Sequence, residues 1–160
     1  KETITIKPKN ILDLACGTGL FGIELITIYP KSNIYGSDIS KKSLKIASEK
    51  KIYIKLKNKN FEELHHFNTK FDLISLIGSM TYCKNFKKLF ANINKNIKKK
   101  GFVLFTHRVD LWKQQDFFNI LQTYQKTFKI TKISRPLNYL PLNKDFKNKI
   151  KIKIVLLQKY

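Results

Sequence analysis

Apolar residues fall in short runs separated by amphipathic stretches, and each change of period marks an element. Asn10–Ala15 reads as a buried strand running into a Gly-rich turn, and Leu20–Tyr29 as a helix stopped at Pro30. Asn33–Asp38 is a second strand, and Lys41–Lys50 a helix with Ser40 as its N-cap. Ile52–Lys57 and Phe71–Ile77 are the third and fourth strands. Phe86, Leu89, Phe90, Ile93 and Ile97 recur at helical spacing, and Gly101 is expected to stop that helix. Phe102–Thr106 is a fifth strand, Trp112–Thr127 a further helix, and Phe128–Ser134 and Ile150–Leu157 two closing strands. In the last, Ile150, Ile152 and Ile154 alternate with lysines, as a half-exposed strand requires. This order predicts one α/β domain over residues 1–160: a doubly wound, mostly parallel seven-stranded sheet with an antiparallel closing strand and helices on both faces.

Composition narrows the class. The 42% apolar content argues for a folded chain, and no apolar run could span a bilayer, so no membrane partner is expected. Cys16 and Cys83 suggest neither a metal site nor a disulfide framework, and two free thiols imply a cytoplasmic setting. The residues from Lys1 onward do not read as a secretory leader, and none is expected. The formal charge of +21 would attract RNA, DNA or an anionic surface. Arginine, however, occurs only at Arg108 and Arg135, whereas nucleic-acid readers rely on its bidentate fork. Lysine arriving together with abundant Asn and Ile reads better as compositional drift.

The chemistry is concentrated in the first strand–turn–helix. Gly17 and Gly19 allow a sharp turn and close approach to a ligand, and with Gly22 they match G-x-G-x-x-G. Asp13 decides between cofactors. A carboxylate aimed at a pyrophosphate would repel it, whereas beside the ammonium and sulfonium groups of S-adenosylmethionine it is favourable. Asp38 follows Gly19 by nineteen residues, at the end of the second strand, where a carboxylate can accept from both ribose hydroxyls.

Asp-Leu-Ala-Cys-Gly-Thr-Gly (13–19) followed by Ser-Asp-Ile-Ser (37–40) resembles the first two motifs of Rossmann-like S-adenosylmethionine-dependent methyltransferases. Asn60-Phe-Glu-Glu-Leu64 resembles the segment whose acid meets the adenine amino group; here an amide, Asn60, stands in its place. Phe71-Asp-Leu-Ile-Ser-Leu-Ile-Gly-Ser-Met80 resembles the fourth strand and its exit, where the family lines the methionyl part of the cofactor. The resemblance implies that Asp13, Ala15, Cys16, Gly17 and Gly19 bind S-adenosylmethionine with Asp38, Ile39, Asn60, Phe61 and Leu76. Lys100–Trp112 and Asn138–Leu142 look like the Williams–Beuren-region methyltransferase-like proteins. That family carries a helical segment before the first strand, and with nine residues ahead of Asn10 such a lid is expected to be absent here.

Methyl transfer needs alignment and a dry pocket, and a base only when the attacking atom keeps a proton. His107 and Tyr82 are the catalytic candidates, and Met80, Tyr82, His107 and Tyr139 the expected walls of an acceptor pocket. His65 and His66 read as solvated. The leading expectation is a small-molecule methyltransferase without a metal. An RNA or protein methyltransferase docking through its lysines ranks below it, as does a non-catalytic cofactor-binding module. A nicotinamide oxidoreductase is disfavoured by Asp13. The acceptor, the atom methylated and the oligomeric state stay open.

Overall fold

Asn10–Leu14 (β1) is buried along its whole length because it lies between two parallel neighbours, β2 (Asn33–Asp38) and β4 (Phe71–Leu76). Strand alternation then sorts its side chains into two layers. Ile11 joins a cluster with Ile34, Leu73 and Leu25, the last from α1 (Leu20–Ile28). Leu12 and Leu14 join the larger cluster on the other face, filled by Leu89, Phe90 and Ile93 of α3 (Phe86–Asn96) and Phe117 and Leu121 of α5 (Phe117–Thr123). The computed structural model describes residues 5–139, 145 and 149–160. Of the expected Asn138–Leu142 motif, Leu140, Pro141 and Leu142 lie outside these.

The sheet runs β3-β2-β1-β4-β5-β8-β6, with β3 (Tyr53–Asn58), β5 (Ile97–Arg108), β6 (Phe128–Ile133) and β8 (Lys151–Lys159). Strands β3, β2, β1, β4 and β5 are parallel, and β8 runs antiparallel to both β5 and β6. A two-residue β7 (Leu137–Asn138) is added on β8. This is the expected α/β Rossmann-like sheet. Strand order reverses between β1 and β4, which opens a crevice at their carboxyl ends, where ligands bind in such sheets. The expected cap also forms: Ser40 Oγ accepts from Ser43 N at the start of α2 (Lys41–Glu49).

Two helices depart from the sequence pattern. α3 ends at Asn96 rather than near Gly101, because Ile97 turns to the extended conformation and pairs with Phe71 as β5 begins. Gly101 therefore lies inside a strand. The expected Trp112–Thr127 helix is two pieces, α4 (Val109–Gln114) and α5, broken where Asp116 adopts φ 49°. The Gln115 side chain at this break is bonded to His107 rather than free on a helix surface.

His65 also differs: it is 1% exposed, not solvated, while His66 is exposed. Its backbone N donates to Asn92 Oδ1 at 2.8 Å, and Asn92 Nδ2 donates to the Phe61 carbonyl at 2.9 Å. Asn96 Nδ2 donates to the His65 carbonyl at 3.1 Å. Two asparagines on the buried side of α3 thus pin the loop after β3 to the body of the protein. Asn92→Ala should cost at least about 1–3 kcal/mol, the penalty for one buried polar group left unpaired. The measurement is a urea transition, expected at a lower midpoint with unchanged slope; an unmoved midpoint would show that the loop is held by other contacts.

Candidate functional site

On the α1 face of the sheet, one line of side chains crosses four strands. Asp13 of β1 is in register with Gly36 of β2 and Ser75 of β4. Its carboxylate accepts from Ser75 Oγ at 2.8 Å and from Tyr53 Oη at 2.9 Å, the tyrosine reaching from β3 across Gly36. A Cβ on Gly36 would stand 2.9 Å from the Tyr53 ring, and one on Gly22 of α1 only 2.2 Å from Tyr53 Oη. Neither glycine has a positive φ, so sterics rather than backbone conformation require them. Gly22, the third glycine of the fingerprint, clears space for a tyrosine.

Asp13 is 1% exposed, and burial raises its carboxyl to about 6, against the two hydrogen bonds, which lower it, and nearby Asp38, which raises it. Burial likewise pushes the Cys16 thiol up to about 12, with Asp13 and Asp38 adding to the effect, so it is inert as a nucleophile.

The turn after β1 is held from β2. Gly17 N donates to Asp38 Oδ2 at 2.8 Å, and Ser40 N to Asp38 Oδ1 at 2.8 Å. Cys16 N donates to the Ser37 carbonyl at 3.0 Å. Gly17 adopts φ 55°, and the space where its Cβ would project is open. Beside this turn lies a hollow of about 280 Å³. Ala15, Asp38, Ile39, Lys59 and Phe61 wall it from the β1–β3 side. Ile77, Gly78, Ser79 and Tyr82 close it from beyond β4.

A second hollow, of about 420 Å³, adjoins the first and shares Gly78 and Tyr82 with it. Thr106, His107 and Arg108 from the end of β5, with Thr81, Tyr139, Ile150 and Ile152, complete its walls. Gly78 N donates to Thr106 Oγ1 at 2.8 Å, tying the segment after β4 to β5 where the hollows meet. Tyr82 is 74% exposed, on a single 3₁₀ turn, Met80–Tyr82. His107 is the opposite, 1% exposed and packed against Phe86, Trp112 and Phe117. Burial lowers its pKa and so keeps the ring neutral. Nε2 bonds to Gln115 Oε1 at 3.0 Å and must carry the proton, because that oxygen only accepts. Nδ1 is then a buried acceptor with no hydrogen-bond partner among the described residues.

The structure thus brings Ala15, Asp38, Ile39 and Phe61 to one hollow, with Tyr82 shared and His107 on the next. Cys16, Gly17 and Gly19 form the turn beside the first. Asn60 lies in the loop after β3, its Oδ1 accepting from Glu62 N at 3.0 Å. Two expectations are corrected. The side chains of Leu76 and Met80 both lie in the core, and Ile77, Gly78 and Ser79 line the hollow instead. Asp13 faces its strand neighbours rather than the open hollow. Sequence reasoning missed Tyr53, Ser75, Thr106 and Arg108. The signal for Tyr53 was two glycines, Gly22 and Gly36, with no turn to make. Among the described residues no cluster of His, Cys, Asp and Glu could hold a metal ion.

Residues 7–145 match a family model described as a methyltransferase domain. The chain belongs to the methyltransferase-domain family. It is 29% identical over 108 residues to a malonyl-[acyl-carrier protein] O-methyltransferase of Legionella pneumophila, a match covering 66% of this chain and 38% of that protein. It is 35% identical over 101 residues to malonyl-[acyl-carrier protein] O-methyltransferase 2 of Ilyobacter polytropus, covering 61% and 38%. The methyltransferase chain thus spans about two-fifths of the length of these curated relatives. Its fold is also that of the N-methyltransferase NodS of Bradyrhizobium japonicum in complex with S-adenosyl-L-homocysteine, with TM-score 0.73, 12% identity and coverage of 95% and 78%. A Clostridium acetobutylicum S-adenosylmethionine-dependent methyltransferase gives TM-score 0.72 at 18% identity, covering 93% and 83%. The sheet and the helices around it therefore have the fold of an S-adenosylmethionine-dependent methyltransferase.

The buried carboxylate makes a pH-dependent prediction. Asp13 titrates near the ordinary 3.8 in the unfolded chain and at about 6 in the folded one. The folded state therefore binds the extra proton, so the stability it contributes is complete below 3.8 and lost as pH rises through about 6. Asp13→Asn carries no charge, and its amide can still pair with the two hydroxyls. It should gain up to about 3 kcal/mol over the parent above pH ~7, with the gain fading towards pH ~4. Thermal unfolding across that range is the check; a gain independent of pH would locate the effect in packing rather than charge.

Proposed function

We propose that this methyltransferase moves the methyl group of S-adenosylmethionine to a small-molecule acceptor held in the hollow beside β5. The observation that carries the reading is the junction of two hollows at Gly78 and Tyr82: one ends at the carboxylate of β2, the other at His107. A methyl donor in the first can face an acceptor in the second. When bound, S-adenosylmethionine supplies a methyl carbon on a positively charged sulfur, which leaves as S-adenosylhomocysteine.

The residues present fit that cofactor. Each oxygen of Asp38 accepts one backbone N–H and keeps a further acceptor site, enough for the two ribose hydroxyls. Ile39 and Phe61 offer apolar faces to an adenine, and Asn60, whose amide NH₂ is not used by its own turn, lies next to Phe61. Gly17 and Gly19 give the methionyl end a close approach along the turn. Asp13 acts at one remove, as a buried negative charge near the turn that favours a cation beside it.

His107 is assigned the base. Nδ1, buried in the structure, must be uncovered to accept the proton of a hydroxyl or acid acceptor as its oxygen bonds to the methyl carbon, and Gln115 holds the tautomer. Oxygen as the methylated atom agrees with the names of the two curated relatives. Tyr82 is assigned a wall of both hollows rather than a proton carrier. The small-molecule reading is supported over RNA by the spread of the lysines along the chain, which occur on α2, α3, β3, β5, β6 and β8. The narrower Williams–Beuren-like assignment rests on Lys100–Trp112, which spans β5 and α4.

Calorimetry should show binding of S-adenosylhomocysteine and none of NAD; tighter NAD binding would refute the cofactor assignment. Asp38→Ala should lose roughly 1.5–3 kcal/mol of cofactor affinity, about tenfold to hundredfold in Kd. Label from methyl-labelled S-adenosylmethionine should pass to a small-metabolite extract rather than to total RNA. Saturable labelling of one RNA species at moderate salt would reverse the ranking of acceptors.

A further inference from the structure

Most walls of the acceptor hollow are neutral: threonines, tyrosines, isoleucines, a glycine and a histidine held uncharged. Arg108 is the exception, and it is one of only two arginines in a chain that otherwise uses lysine for positive charge. Its guanidinium is paired with Asp110, the two side chains being 39% and 59% exposed. Nε donates to Asp110 Oδ1 at 3.1 Å, and Nη2 to Asp110 Oδ2 at 2.5 Å, so the carboxylate occupies one edge of the fork. The N–H groups of Nη1, and one of Nη2, have no partner among the described residues. A guanidinium held by one carboxylate and open along its other edge can take a second anion, with part of the cost of ordering the side chain already met.

The surroundings favour an anion too. From Arg108 a shallow groove of about 360 Å³ leads away from the hollow, sharing Arg108 and Ile150 with it. Its walls carry Lys113, Lys149 and Lys151, so four cations face the single carboxylate of Asp110. Lys153 lies 4.8 Å over the Trp112 ring, which itself packs against His107. The lysines alone would mean little in so basic a chain. What distinguishes this place is a planar, bidentate donor at the junction of a neutral cavity and a basic groove.

Building on the proposed function, we propose that the methyl acceptor is an anion, carrying a carboxylate or phosphate that seats on the open edge of Arg108. Its reacting atom then lies towards Tyr82 and His107. The anionic group is a recognition handle, and the groove lets a charged tail continue beyond it. Such an acceptor also complements the cationic cofactor proposed for the neighbouring hollow.

The composition of the chain supplies the test. With two arginines, a spectrum of arginine Nε–H groups has two cross-peaks, assigned by Arg108→Lys, and Arg135 serves as internal control. Acetate and inorganic phosphate, each titrated at constant ionic strength against chloride, separate the two anion classes. A saturable shift of the Arg108 peak, with Arg135 unmoved, is expected from at least one of them. Parallel drift of both peaks, or no saturable shift at Arg108, would overturn the proposal. Fluorescence of Trp112, the one tryptophan, gives a second readout: Arg108→Leu should weaken the anion response at least tenfold and Arg135→Leu should leave it intact, whereas equal weakening by both would also overturn it. Titration of the same samples with S-adenosylhomocysteine reports separately on the cofactor site and on whether each variant is folded.

Discussion

A carboxylate buried in the middle of a sheet must be paired, and much of the candidate site follows from how Asp13 meets that demand. Ser75 is at hand on the next strand, but the second donor, Tyr53, has to come from two strands away. For its hydroxyl to arrive, the intervening strand must carry no side chain at Gly36 and the covering helix none at Gly22. The glycine pattern that looks like a nucleotide fingerprint therefore answers two separate needs. Gly17 shapes the turn, while Gly22 keeps α1 low enough over the sheet to enclose a tyrosine. Because α1 springs from the turn, the same contact that offsets part of a burial cost also sets the height of the turn over the hollow beside it.

Asp38 extends this logic by one strand. It accepts from Gly17 N and Ser40 N together, so a single side chain fixes the turn after β1 and begins the helix after β2. A carboxylate used twice as a structural acceptor still has two acceptor sites, so holding the turn leaves room for the ribose contacts proposed for it. The wall of the hollow at Phe61 is built from elsewhere: Asn92 and Asn96 of α3 grip the backbone at Phe61 and His65, so a loop without strand or helix of its own is held by the helix beneath. A mobile wall would dissipate binding energy in ordering itself.

What was legible in the sequence was whatever local pattern controls. The succession of strands and helices, the Gly-rich turn, Asp38 at a strand end and the Ser40 cap all arise from periodicity and spacing over a few residues. What was not legible depends on partners far along the chain. The α3 pattern carries on to Ile97, yet the chain leaves the helix there because pairing with Phe71 and the asparagine bonds to the His65 loop outweigh another helical turn. The break at Gln115 needs His107, eight residues upstream but on another element. Leu76 was set on the wrong side because β4 is buried on both faces, so alternation, the usual guide to direction, is missing, and Met80 because a single 3₁₀ turn is too short to show a period. His65 looked solvated among polar neighbours for a related reason: its burial is made by asparagines that are polar in composition and interior in place.

Charge is the property on which composition misleads most, and the two arginines show why. Lysines are so frequent here that finding one in a groove carries almost no information. An arginine is different in kind. It presents a rigid fork rather than a point charge, and Arg108 has half of that fork engaged by a neighbouring carboxylate. The diffuse charge of +21 can draw any anion towards the molecule, but only a fixed pair of donors at the wall of a cavity can choose its orientation. Under the proposed reading, net charge governs encounter, while the geometry of one guanidinium governs which end of an acceptor enters first and so which atom reaches the methyl group.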